Sequence, residues 1–181
     1  MKTIVNILAG GVNVLALTAM VGVGAFSWQE AQAAERLLPI TQDDRTCLAM
    51  NVFFEARNQS TLGQVAVAWV TLNRMTSSSY PATLCEVVKQ GHTDSEGNMV
   101  RNKCQFSWYC DGKNDRIPDN AIAQRAWEDA QLVAEVVLLD WARARTSPVE
   151  SAVMYHADYV EPYWAASYEE VTNIDEHIFY Q

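Results

Sequence analysis

The stretch that decides the fold runs from Asp119 to Arg145, DNAIAQRAWEDAQLVAEVVLLDWARAR. Ala123, Trp127, Ala130, Ala134, Val137 and Trp141 recur in it at alternating steps of four and three residues, which is one face of an α-helix. Asp119 is the expected cap and Pro148 the expected stop. Towards the N-terminus, Asp43 or Asp44 can cap a helix running to about Asn58, with Leu48, Ala49, Val52 and Phe53 facing inward. Ser60 or Thr61 can cap another over 62–76, although Val65–Val70 also fits a buried strand. Pro81 opens a short helix to about Gln90. Residues 91–116 read as one long irregular region with a turn at Ser95–Asn98. Ala152–His156 and Val171–Tyr180 read as short strands around a Pro-Tyr-Trp loop. The expected class is α+β, mostly helical, with a small β element in one domain.

The chain has 181 residues and a formal net charge of −9, from 13 Lys and Arg against 22 Asp and Glu. One ordinary domain fits that length. The charge excludes the basic face that nucleic-acid binding requires and offers no attraction to an anionic membrane. Hydrophobic residues make up 49% of the chain, enough for a buried core. Residues 1–33 read as an export signal: Lys2 is the sole charge before Glu30, Ile4–Phe26 is almost wholly apolar, and Ala31-Gln32-Ala33 supplies a small-x-small cleavage site. The run is also long enough to span a bilayer, so a releasable anchor is the alternative. Either way the domain is expected outside the cytoplasm, in the periplasm or cell envelope. The expected organisation is a signal over 1–33, a spacer over 34–42 and a monomeric domain over 43–181.

Cys47, Cys85, Cys104 and Cys110 all follow the signal, and an even number in an oxidising compartment points to two disulfides among three possible pairings. Cys104 and Cys110 are close enough in sequence to staple one short loop, which leaves Cys47 with Cys85. No Cys-x-x-Cys and no suitably spaced His supports a zinc site, so neither metal nor cofactor is expected.

Glu55 continues the apolar stripe of Leu48 and Val52, directly after Phe53-Phe54. A carboxyl there is expected to be partly desolvated, which raises its pKa towards that of a general acid working near neutral pH. The bland reading is a helix-edge Glu paired with Arg57 or Arg45. The run Cys104–Gly112 gathers Gln105, Ser107, Trp108, Tyr109 and Asp111 into one loop, a composition suited to a sugar groove and equally to a rigid hairpin with core aromatics. His156 and His177 each lie in an aromatic, strand-like run, where a hydrogen-bonded structural role is the commoner one. There is no Gly-x-Ser-x-Gly elbow, His-Glu-x-x-His pair or Gly-rich phosphate loop.

Together these motifs resemble the cell wall hydrolase family of spore cortex-lytic enzymes, the SleB-like domain. The resemblance is carried by Cys47–Arg57 (CLAMNVFFEAR), Gly63–Ala68, Leu72-Asn73-Arg74, Cys104–Trp108 with Cys110-Asp111-Gly112, Tyr155-His156-Ala157 and His177–Tyr180, in that order. It implies a lysozyme- or lytic-transglycosylase-like domain that cuts peptidoglycan next to N-acetylmuramic acid. Glu55 would be the catalytic residue, with groove roles for Gln105, Ser107, Trp108, Asp111 and His156. Two positions depart from the family pattern: Asn58-Gln59 stands where Gly-Glu is usual, and Asp175 where a Gly is common. With one outstanding carboxylate, transglycosylation to 1,6-anhydro products is the preferred expectation. Hydrolysis with Asp111 as a second carboxylate is the alternative. A non-catalytic peptidoglycan-binding module would share the aromatic loop, and a stem-peptide amidase or peptidase would need a metal or nucleophile. A bacterial wall-remodelling enzyme and a phage endolysin fit equally.

Overall fold

The computed structural model describes residues 27–37 and 39–181, so most of the expected export signal lies outside the described residues. The end of that segment is a helix, α1 (Trp28–Leu37). Ser27 opens it with a capping box, its N–H donating to Glu30 and its hydroxyl accepting from the Glu30 N–H. The Ala- and Glu-rich run that follows is a strong helix former. Residues 34–37, expected as spacer, continue this helix, and Ala33 is buried as it packs on the long helix Ala121–Ala142. Among the described residues no helix is long and apolar enough to cross a membrane.

Helix α2 (Gln42–Ala56) is capped by Thr41 rather than by Asp43 or Asp44. Asp44 is the third residue of a capping box: its carboxylate accepts from the Thr41 N–H and hydroxyl, and its other oxygen accepts from the Cys85 N–H at 3.0 Å. Asp44 therefore joins two helix starts while buried. Although burial disfavours its charge, the hydrogen bonds from Cys85 and Thr41 hold its pKa below the usual value. Helix α3 (Thr61–Thr76), capped by Ser60, overrides the strand alternative. Its Ala66–Leu72 run is buried on every side, which is why helix and strand periodicities were hard to separate there. Helix α4 (Leu84–Val88) starts at the Thr83 cap, so Pro81 belongs to the preceding loop.

The region expected as irregular holds a hairpin, β1 (Gly91–Thr93) with β2 (Met99–Cys104), closed by the anticipated turn. The Asp94 carboxylate pins that turn by accepting from the N–H groups of Glu96 and Asn98. A 3-10 turn follows over Ser107–Cys110. Helix α5 (Ala121–Ala142) is capped by Asn120, one residue past the expected Asp119. Its C-terminus closes at Ala144, whose φ is +54°, with Arg145 N–H donating to Asp140 O and Ala144 N–H to Trp141 O. This reversal, not Pro148, ends the helix. Strands β3 (Met154–Ala157), β4 (Glu170–Ile174) and β5 (His177–Tyr180) form an antiparallel sheet in the order β3-β5-β4.

Helices α2, α3 and α5 pack around Leu48, Val52, Phe53, Val70, Leu72 and Leu138, with Phe179 of β5 closing one side. A smaller cluster of Cys47, Val87, Val88, Phe106 and Trp108 seats the hairpin and its loop against α2 and α4. The architecture is mostly helical with small sheets, as the sequence led one to expect.

Both disulfides take the expected pairing, Cys47–Cys85 with Cα atoms 5.2 Å apart and Cys104–Cys110 with Cα atoms 6.0 Å apart. The first spans 38 residues and the second only 6. Loop-closure entropy rises with span, so Cys47→Ala with Cys85→Ala is expected to cost about 2–4 kcal/mol. Denaturant unfolding of this double variant should show a larger loss than the corresponding variant of Cys104 and Cys110.

Candidate active site

Glu55 is the penultimate residue of α2, one helical turn after Asn51 and adjacent to the ring of Phe54. Glu55 lines a cavity of about 340 Å³ together with Phe54, Ser107, Trp108, Asp111 and Asp115. Tyr155 of β3 reaches it from the far side, its hydroxyl donating to Glu55 Oε2 at 2.9 Å. Burial pushes the Glu55 pKa up, opposed by the Tyr155 hydrogen bond and the positive charge of Arg74. The same burial, with the Glu55 charge beside it, holds the Tyr155 hydroxyl well above the usual range, so it remains a donor.

Arg74 of α3 is 3% exposed. Its Nε donates to the Val153 carbonyl at 2.7 Å, and its guanidinium lies 4.8 Å from the Phe106 ring centroid and 5.5 Å from that of Tyr80. It is a fixed cation behind the Glu55–Tyr155 pair. Tyr155 and Arg74 both stood in recognisable motifs, but their link to Glu55 was not apparent from sequence. The available signal was a cation inside an otherwise buried helical run.

Trp108 borders the cavity, yet it is mostly wall rather than open platform. Its ring stacks on Phe54 with centroids 4.6 Å apart, and its Nε1–H donates to Asn51 Oδ1 at 3.0 Å. Ser107 is exposed in the same wall. Asp111 also lines it. Its carboxylate accepts from the Lys113 N–H at 2.7 Å and pairs with the Lys113 ammonium at 3.3 Å, which hold its pKa low. Asp115, which the sequence did not single out, lines the same cavity with its pKa raised by burial and by neighbouring Asp111. Glu55 is thus not the cavity's sole carboxylate, contrary to the basis on which a single-acid mechanism was favoured.

Two expected groove residues are not brought to Glu55. Gln105 is exposed beside β2 and does not line the cavity. His156 follows Tyr155 on β3, and successive strand residues face opposite sides of a sheet. With Tyr155 turned to Glu55, His156 faces away. Its Nδ1–H donates to the Ala157 carbonyl, its Nε2 bonds the Tyr180 hydroxyl at 2.9 Å, and it lines a separate cavity of about 600 Å³ with Tyr168 and Tyr180. His177 shares Tyr155's face, with ring centroids 5.1 Å apart, and burial lowers its pKa so that it packs as a neutral ring. Among the described residues no group of three or more His, Cys, Asp and Glu side chains is arranged to hold a metal ion.

A family model described as Cell Wall Hydrolase matches residues 58–180, beginning just after Glu55. The spore cortex-lytic enzyme of Bacillus cereus is 30% identical over 140 residues, covering 77% of this chain and 44% of the relative. The chain therefore spans less than half the length of the curated relatives it matches. The catalytic domain of the germination-specific lytic transglycosylase SleB from Bacillus anthracis superposes with a TM-score of 0.53 at 28% identity, covering 78% of this chain and 96% of that one. The catalytic domain of the Bacillus cereus SleB protein gives a TM-score of 0.51 at 28% identity, over 78% of this chain and 92% of that one.

The raised Glu55 pKa has a consequence for stability. The folded protein keeps this proton to higher pH than the unfolded chain, so the resulting stability is complete below the unfolded value near 4.5 and is lost as pH rises through the folded value. Glu55→Gln removes the penalty of burying the anion. Its melting temperature should match wild type near the unfolded value and exceed it at neutral pH. Equal melting temperatures at both ends would mean that Glu55 is well solvated.

Proposed function

The chain belongs to the cell wall hydrolase family, and from that premise we propose that it cuts the glycan strands of peptidoglycan next to N-acetylmuramic acid, with Glu55 as acid and then base. The observation that carries this reading is a half-buried carboxyl beside an open cleft, with its pKa raised by desolvation and one oxygen accepting from Tyr155. The protonated Glu55 donates to the glycosidic oxygen as the bond to C1 of the muramic acid breaks. The oxocarbenium that develops at C1 is stabilised by the substrate's own N-acetyl group. The Glu55 anion left behind is stabilised by the Tyr155 hydroxyl and by Arg74, which keeps proton transfer from being too uphill. Glu55 then takes the proton of the C6 hydroxyl as that oxygen attacks C1, closing a 1,6-anhydro ring without water.

Hydrolysis is the second reading, favoured by Asp111 and Asp115 in the Glu55 cavity. A water activated by Asp115, whose pKa burial raises, would replace the C6 hydroxyl. The transglycosylase reading is preferred because the similar Bacillus anthracis domain belongs to a lytic transglycosylase. Export to the periplasm or cell envelope is part of the proposal, supported by the apolar Ile4–Phe26 run and two disulfides.

Mass spectrometry of the soluble products from purified sacculi tests the reaction. Muropeptides lighter by one water than their reducing-end counterparts are expected, and Glu55→Gln should lower their yield by about 10²–10⁴-fold. Reducing-end products, lost in Asp115→Asn, would establish hydrolysis instead. A folded protein that binds sacculi and releases nothing would be a binding module. Tyr155→Phe removes a hydrogen bond that lowers the Glu55 pKa. The alkaline limb of its kcat/KM profile should therefore move to higher pH, while an unmoved limb would mean that Tyr155 does not touch the working carboxyl.

A further inference from the structure

The Glu55 cavity continues past Arg57. A second hollow of about 500 Å³ is lined by Phe53, Arg57, Arg116, Pro118, Ile122 and Ala126, and the two hollows share Phe54, Arg57 and Asn114 in their walls. Their charges differ. The catalytic cavity holds Glu55, Asp111 and Asp115, whereas the second is lined by two guanidiniums and no carboxylate, in a chain with 22 acidic residues. Among the described residues neither Arg57 nor Arg116 has an ion-pair partner, while Lys113 nearby is paired with Asp111.

Arg57 is nonetheless held in place. Its guanidinium lies 4.9 Å from the Phe53 ring centroid and donates to the Phe53 carbonyl at 3.4 Å. The opposite wall is apolar, and Ile122 in the first turn of α5 is 85% exposed. Two unpaired cations facing an apolar wall suit a ligand that carries both carboxylates and methyl groups.

On the reading that Glu55 cuts beside N-acetylmuramic acid, such a ligand is already attached to the substrate. The stem peptide hangs from the lactyl ether on C3 of the sugar whose C1 is attacked, so it leaves the glycan within one ring of the cut. It carries alanyl methyl groups and free carboxylates. We infer that the second hollow binds the stem peptide, with Arg57 and Arg116 taking its carboxylates and Ile122 and Ala126 its methyl groups. The protein then prefers stem-bearing glycan to glycan stripped of its stems. This rests on the reaction proposed above and assigns it a substrate class.

The test uses soluble uncrosslinked glycan strands in three forms: with stems, with stems removed, and with stem carboxylates amidated. Binding and cleavage are measured side by side for wild type and for Arg116→Glu. Stem-bearing strands should give a kcat/KM about tenfold above the other two, the worth of one partly solvated charge-assisted hydrogen bond. Arg116→Glu should collapse that ratio towards one. Native-state thermal melts guard against a folding defect, and the amidated strands carry the same test without any mutation. Equal binding and cleavage of all three strands by wild type would overturn the stem site while leaving the reaction standing. Stem-dependent binding with no cleavage would support the stem site and remove the reaction.

Discussion

One buried amide holds the two halves of the cleft together. Asn51 of α2 is fully buried, its Nδ2 donating to Thr71 Oγ1 at 3.0 Å and its Oδ1 accepting from Trp108 Nε1 at 3.0 Å. Thr71 passes the constraint on by donating to the Val67 carbonyl within α3. A buried polar group left without partners is costly, so these bonds fix helix against helix and the Trp108 loop against both. Asn51 stands one turn before Glu55 on the same helix, so the wall that Trp108 forms is set from the backbone that carries the acid. The stacking of Trp108 on Phe54 and the Cys104–Cys110 link then leave the loop little freedom.

Much of this was legible in the sequence, and the reasons differ by element. The α5 stripe could be read because one side of the helix is exposed, with Ile122 and Leu132 in solvent opposite Ala130, Ala134 and Val137 in the core. Buried Ala66–Leu72 on α3 lacks such a contrast, and periodicity there says little. Ser60 caps α3 as expected, but the caps of α2 and α5 were misplaced by one to three residues: Asp44 and Asp119 are as able to cap as their neighbours, and the helices start at Thr41 and Asn120. Glu55 was visible as a carboxylate continuing an apolar stripe. His156 was given a groove role by the family resemblance alone, and strand alternation sends Tyr155 to Glu55 and His156 to the other side. Asp115 lies in a loop with no period at all.

The two departures from the family pattern meet in space. Asp175 takes φ +53°, a left-handed conformation that Asp tolerates in a turn, and its carboxylate accepts from the Ser60 N–H at 2.9 Å and hydroxyl at 2.7 Å. Gln59 donates to Glu176 in the adjoining turn position. The Asp175 carboxylate and the Gln59 Cβ also occupy the space that a Cβ on Gly63 would need, so a larger residue at 63 would displace them. These contacts tie the turn just beyond Glu55 to the β4–β5 turn, and β5 in turn is paired with β3. Both partners of the Glu55–Tyr155 hydrogen bond thus sit on elements joined at a second point. A site whose two halves are linked twice keeps its donor–acceptor distance against the small relative motions of helix and sheet.

The distribution of charge explains how an acidic protein can present a site for an anionic ligand. Residues 146–181 contain seven carboxylates and no Lys or Arg, so they contribute −7 of the net −9. Several of them, Asp158, Glu161 and Glu170 among them, line the cavity on His156's side of the sheet rather than the Glu55 cleft. Residues 101–116, which supply the cleft rim, carry four basic and two acidic groups, for a local charge of +2, and Arg57 adds another. At about 0.1 M salt the Debye length is about 10 Å, so solvent-exposed charges beyond that range are largely screened. What a ligand meets at the cleft is the sign of the nearby rim and not that of the whole chain. The net charge therefore opposes long-range attraction to an anionic wall, while the groups at the cleft favour carboxylates once contact is made.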